Sequence, residues 1–205
     1  MSTTVEVFAD ITCPFTHVGL KRVVEHVAEI DHPVAVIVRA WPLEWVNGVG
    51  LDIDGVLAKA KALSEQLGID DFSGLRADRW PATTLPALNL AADAYARDAE
   101  TGLAVSLALR SALFENGLDV SDRDVLAQIA AAHALEISSE IEANAGVRAD
   151  YDDGRARNVS GSPHFWVDED DFFCPALDLG HDADDNLTAR LDTVGLQQFF
   201  ARIDN

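Results

Sequence analysis

The first forty residues constrain the fold most. VEVFADI at 5–11 alternates Val5, Val7, Ala9 and Ile11 on one face, and VAVIVRAW at 34–41 is a near-continuous β-branched run, so both read as strands. Between them TCPFTHVGLKRVVEHVAEI has Pro14 in its first turn and apolar residues at Val18, Leu20, Val23, Val24, Val27 and Ile30, the pattern of a core-facing helix. A strand, a helix and a strand so spaced predict two parallel strands joined by a right-handed crossover.

From about 52 to 158 the pattern is helical, with DGVLAKAKALSEQLG, LPALNLAADAYARDA, GLAVSLALRSALFENG and DRDVLAQIAAAHAL separated by Gly, Asn, Asp and Pro. Ser121 with Asp124 predicts a capping-box start, and Asn116-Gly117 a helix stop. β character returns at HFWV, 164–167, followed by an acidic turn and FFCP at 172–175. A two-residue turn at Glu169-Asp170 pairs Phe165 with Cys174. GLQQFFARI at 195–203 closes the chain as an amphipathic helix. Two sheet-forming ends separated by helices imply an α/β fold: one discontinuous sheet domain over 1–51 and 147–205, interrupted by a helical insertion over 52–146.

Charge narrows the partners. With 35 acids against 15 bases in 205 residues, the formal charge is −20, and its field repels phosphate backbones and anionic lipid. Nucleic acid and membrane are excluded as expected partners. No run of about 18 apolar residues is present, and Met1 leads into the first strand without a basic or apolar leader, which predicts a cytoplasmic protein. Cys13 and Cys174 are too few for a disulfide scaffold and lack zinc-site spacing.

Cys13 stands where the first strand gives way to a helix beginning at Pro14. A sulfur there faces unpaired N–H groups and the positive end of the helix dipole, which favour thiolate over thiol, so an accessible nucleophile is expected. Thr16 at i+3 is placed to aim a hydroxyl at the sulfur, and His17 at i+4 to bring an imidazolium. For His17 the competing expectation is a solvent-facing helical residue. Far along the chain, Gly161 and Ser162 before Pro163 predict a tight turn at the start of a strand, a setting for a cis X-Pro bond.

D-x-x-C-P-F-T-H-V-G from Asp10 to Gly19, together with G-S-P-H-F-W-V from Gly161, resembles the DsbA-type thioredoxin-fold proteins. The resemblance is to the FrnE-like branch, related to 2-hydroxychromene-2-carboxylate isomerases and kappa-class glutathione transferases. It covers essentially the whole chain and implies a thioredoxin-like fold, β-α-β then β-β-α, with a long helical insertion. It also implies that Cys13 is the nucleophile, that Pro163 is a cis-proline beside it, and that the Ser162 backbone pairs with substrate like an added strand. Pro14 and Phe15 complete the motif.

Where redox members have C-x-x-C this chain has Thr16, so no resolving thiol lies within the motif. The expected activity is thiol–disulfide exchange by a monothiol mechanism, resolved by an external small thiol such as glutathione or mycothiol, with no tightly bound cofactor. Transfer or isomerisation using a small thiol is the alternative, although those relatives carry a hydroxyl residue where Cys13 stands. A non-catalytic chaperone or binding protein is a third reading, and a homodimer stays open. Cys174 is expected as a packed core thiol rather than a partner for Cys13.

Asp10, three residues before Cys13, is either a proton carrier near the sulfur or a strand-end carboxylate capping backbone. Trp41, Pro42 and Trp45 are candidates for an apolar rim to a substrate cleft. Arg76, Arg79 and Trp80 are candidates for holding the carboxylate of a small thiol peptide. DLGHDADDN at 178–186 places Asp182, Asp184 and Asn186 like calcium ligands, but Leu187 and Thr193 stand where the loop needs Gly and Glu. His26, His32, His133 and His181 lack ligand-like spacing, so no metal is expected.

Overall fold

The computed structural model describes residues 3–137, 142–181 and 187–204. Strand β1 (Thr3–Ala9), helix α1 (Pro14–Val27) and strand β2 (Val34–Ala40) form the N-terminal unit, with β1 and β2 parallel. Helices α2 (Leu43–Val46), α3 (Ile53–Leu67), α4 (Leu85–Arg97), α5 (Ala99–Phe114), α6 (Arg123–Ala132) and α7 (Ala145–Ala156) follow. The chain then returns as β3 (His164–Val167) and β4 (Asp170–Phe173), a second hairpin β5 (Leu177–His181) and β6 (Leu187–Leu191), and α8 (Thr193–Ile203). The main sheet has the order β2-β1-β3-β4, with β3 antiparallel to both neighbours.

Alternation along β1 sorts its side chains into two layers. Val5, Val7 and Ala9 pack with Val36 and Val38 of β2, Phe165 and Val167 of β3, Leu20 and Val23 of α1, and Phe199 and Ile203 of α8. Phe8 points the other way, onto Trp41 and Trp166, where Tyr151 of α7 joins them. Gly154 lets α7 approach: a Cβ there would lie 2.6 Å from the Trp41 ring. The sheet is thus covered on both faces.

Three sequence expectations are corrected. The β3–β4 turn falls at Asp168-Glu169, so Phe165 pairs with Phe172 rather than with Cys174. Asp168 adopts φ +55°, a conformation Asp tolerates better than most residues, and this selects the register within the acidic run. Cys174 thereby lies opposite Pro163, its N–H donating to the Pro163 carbonyl at 3.1 Å. Helix α6 is capped by Asp122, which accepts from the Asp124 N–H, while the Ser121 hydroxyl donates to Asp119. Part of 178–186, read from sequence as loop, is strand β5. The calcium-like positions Asp182, Asp184 and Asn186 lie outside the described residues. Among the described residues no helix is long and apolar enough to cross a membrane, and no cluster of metal-ligating side chains occurs.

Candidate active site

Pro14 at the first helical position starts α1, and Cys13 is its N-cap, with φ −79° and ψ 113° and its carbonyl accepting from the His17 N–H at 3.2 Å. Across the sheet, the Ser162–Pro163 peptide bond is cis. It presents the Ser162 carbonyl to the sulfur, and the Cys13 S–H donates to that oxygen at 3.0 Å. Cys13, Thr16, Ser162, Pro163 and Asp10, distant in sequence, therefore form one contiguous cluster. Pro163 also lies against α1, its Cγ 3.8 Å from where a Gly19 Cβ would be.

Ser162 ties the cluster together. Its hydroxyl oxygen accepts from the Asp10 N–H at 3.0 Å and lies 2.8 Å from Thr16 Oγ1. Thr16, fully buried, thus spends its hydroxyl on Ser162 rather than on the sulfur as expected. Ser162→Ala keeps the carbonyl but orphans the buried Asp10 N–H. Unfolding free energy by urea titration is expected to fall by about 1–3 kcal/mol, and a change below about 0.5 kcal/mol would show that the hydroxyl is dispensable.

Cys13 is only 3% exposed, which corrects the expectation of an accessible thiol. The Ser162 carbonyl lies against the sulfur.

His17 is neither solvent-facing nor an imidazolium. It is 3% exposed, stacks on Phe114, and its Nε2 lies 3.2 Å from both the Asp71 carbonyl and Glu115 Oε1, two acceptors that fix the proton on that nitrogen. Burial, helped by the Lys21 charge, pushes the imidazole down to about 4. The folded protein therefore refuses a proton that the unfolded chain binds below about pH 6.5, so stability is lost as pH falls from there towards 4. Between pH 7 and 4.5 this contributes on the order of 2 kcal/mol of acid destabilisation. His17→Gln should reduce the difference in urea stability between those two pH values by that amount; an unchanged difference would place a charged His17 in the fold.

Asp10 is 1% exposed and acts as a cap. Oδ1 accepts from Thr12 N–H at 2.8 Å and Thr12 Oγ1 at 2.6 Å, and Oδ2 accepts from Leu43 N–H at 2.8 Å and Thr84 Oγ1 at 3.2 Å. One carboxylate thus joins the end of β1 to the starts of α2 and α4. Beside it a cleft of about 260 Å³ is lined by Asp10, Thr12, Glu44, Leu51 and Trp80 among others. Trp80 is fixed there by its indole N–H on the Leu51 carbonyl at 3.0 Å. Arg76 and Arg79 are exposed and absent from the lining, so the expected basic cluster does not form at this cleft. Trp41 and Trp45 also stand elsewhere: both pack on Tyr151, Trp41 within the core, rather than forming a rim. Phe15 is half-buried with Lys59 Nζ 6.0 Å from its ring centroid.

Cys174 is buried and unpaired, and burial together with the Cys13 charge pushes its thiol up to about 12. It is a poor nucleophile. Arg110 of α5 joins the site without a sequence motif to mark it. It is fully buried with Nη2 donating to the Asp10 carbonyl at 3.2 Å, and its one signal is a cation in the largely apolar run GLAVSLALRSALF.

Several solved structures share the fold. A probable DsbA oxidoreductase from Streptomyces coelicolor is 20% identical with a TM-score of 0.67, covering 98% of this chain and 89% of its own. A 2-hydroxychromene-2-carboxylate isomerase is 14% identical with a TM-score of 0.62, covering 83% and 88%. The cytosolic disulfide reductase DsbM from Pseudomonas aeruginosa, solved with GSH, is 18% identical with a TM-score of 0.57, covering 82% and 88%. No curated protein matches the chain. The family model for the DSBA-like thioredoxin domain matches residues 4–191, which takes in both halves of the cysteine and cis-proline cluster and the helices between them. The chain therefore belongs to the family of DSBA-like thioredoxin domains.

Proposed function

We propose that this chain is a thiol–disulfide oxidoreductase of the FrnE-like kind that works through Cys13 alone, with an external small thiol as resolver. The observation that carries this reading is the Cys13 sulfur at the N-terminus of α1, 3.0 Å from the carbonyl preceding cis-Pro163, with Thr16 in the resolving position. The N-terminus of α1 offers its unpaired N–H groups to an anionic sulfur. The Cys13 thiolate attacks a substrate disulfide R–S–S–R′, forming Cys13–S–S–R and releasing R′S⁻. A small thiolate then attacks the R-bearing sulfur, giving R–S–S–small thiol and restoring the Cys13 thiolate. Glutathione and mycothiol are both suitable resolvers, and neither is held as a resident cofactor. Burial raises the Cys174 thiol, which disfavours it as an internal resolver.

Reduction of a peptide disulfide should require both the protein and an added small thiol, with ping-pong kinetics. Turnover that persists in Cys13→Ser would overturn the proposal in favour of small-thiol transfer or isomerisation, and no turnover with any disulfide in the wild type would favour a binding protein.

A further inference from the structure

We propose that Arg110 is a positioning residue for the Cys13 reaction, its buried guanidinium, held on the Asp10 backbone carbonyl, offsetting the negative charge that a thiolate brings to the helix α1 N-terminus. This rests on Cys13 being the exchange nucleophile. Arg110 Nη1 donates to the Ser106 carbonyl at 3.0 Å and to Ser106 Oγ at 2.7 Å, and Nη2 donates to the Asp10 carbonyl at 3.2 Å. Its Nε is buried without a partner. All its acceptors are neutral, and among the described residues no carboxylate forms an ion pair with it.

Packing alone does not account for a cation here. The rest of the buried face of α5 is largely apolar, with Val105, Leu109, Ala112, Leu113 and Phe114, and an apolar side chain of similar length would avoid the cost of desolvating a guanidinium. Its charge is nevertheless retained. Burial lowers the guanidinium to about 10, while the charges of Asp10, Tyr95 and Cys13 act in the opposite sense, so it is protonated at neutral pH. Coulombic coupling is reciprocal: a cation favoured by the Cys13 thiolate favours that thiolate in return.

The groups around Cys13 make this balance simple. At the end of β1 stands Asp10, on α1 the neutral His17, after β4 the protonated Cys174, and on α5 Arg110. Among these groups Asp10 carries the carboxyl and Arg110 the guanidinium, which is the cation of the cluster. Without Arg110, ionising Cys13 adds an anion to a buried cluster that holds no other cation among these groups, and the α1 dipole is the remaining support. The helical segment between β2 and β3 thus contributes a charge to a nucleophile on β1–α1.

The test is the rate of Cys13 alkylation by iodoacetamide against pH, in a Cys174→Ala background that leaves one thiol. Arg110→Met should alkylate about tenfold more slowly at pH 7, with its profile displaced to higher pH and its high-pH plateau unchanged. Arg110→Lys, which retains the charge, should stay within about threefold of the parent. A looser or tighter site would move the plateau instead. Superimposable profiles for Arg110→Met and the parent, or an equal loss in Arg110→Lys, would overturn the proposal. Should Arg110→Met not fold, the parent protein with ¹³C-labelled arginine provides a second measurement. The Arg110 Cζ resonance, assigned by its loss in Arg110→Lys, should inflect at the pH where Cys13 becomes alkylatable; a flat titration overturns the coupling. Alkylation reports the thiolate whether or not a substrate turns over, so failure of the exchange activity with these profiles intact would reject the proposed function and leave the role of Arg110 standing.

Discussion

Thr16→Cys, treated with one equivalent of a peptide disulfide, is expected to take up its oxidising equivalents as an internal disulfide and then to oxidise one dithiol peptide per molecule with no small thiol added, which the wild type cannot do. Residue 16 lies one turn beyond Cys13 in α1 and is fully buried in the same cluster, so a thiol there stands in the resolving position at i+3. The new thiol attacks a mixed disulfide on Cys13 and expels the substrate, and the resulting internal disulfide accepts two electrons from a peptide dithiol. Cys13→Ser should remove exchange in both backgrounds by about a thousandfold or more, because a serine hydroxyl is scarcely ionised near neutral pH and His17, the neighbouring imidazole, is turned towards Asp71 and Glu115. If in Thr16→Cys the peptide stays on Cys13 until a small thiol is added, Thr16 does not occupy the resolving position.

Asp10→Ala is expected to have the largest effect on stability. It leaves the buried Thr12 N–H, the part-buried Leu43 N–H, and the hydroxyls of Thr12 and Thr84 without their acceptor. At about 1–3 kcal/mol for each orphaned donor, a loss of about 4 kcal/mol or more follows, a large part of the stability of an ordinary domain. Urea titration measures the loss. A cost below about 1 kcal/mol would mean that water replaces the carboxylate and that Asp10 is no structural junction.

The legible parts of this chain were those in which local chemistry and the fold agree. Val5, Val7 and Ala9 alternate because one face of β1 is core, and Pro14 marks the helix start that makes Cys13 an N-cap. The pairing of Cys13 with Pro163 was readable as two motifs 150 residues apart, although no periodicity connects them. Other features depended on choices that a linear reading leaves open. The acidic run from Asp168 to Asp171 admits more than one two-residue turn, and the one adopted shifts the hairpin register and moves Cys174 next to Pro163. His17 was read by its distance along α1 from Cys13, but its surroundings are set by Phe72 and Phe114, which only the tertiary fold supplies. Arg110 carries no such signal, because nothing in its neighbours along the chain indicates Asp10, 100 residues earlier.

Intact mass spectrometry of the wild type mixed with a peptide disulfide, with no small thiol present, tests the central claim most directly. A single peptide should become attached through Cys13, approach one equivalent, persist, and be released on addition of glutathione or another small thiol as the thiol–peptide mixed disulfide. Release of the peptide without added thiol, leaving a protein two mass units lighter through a disulfide between Cys13 and Cys174, would contradict the monothiol account, as would a peptide attached anywhere but Cys13.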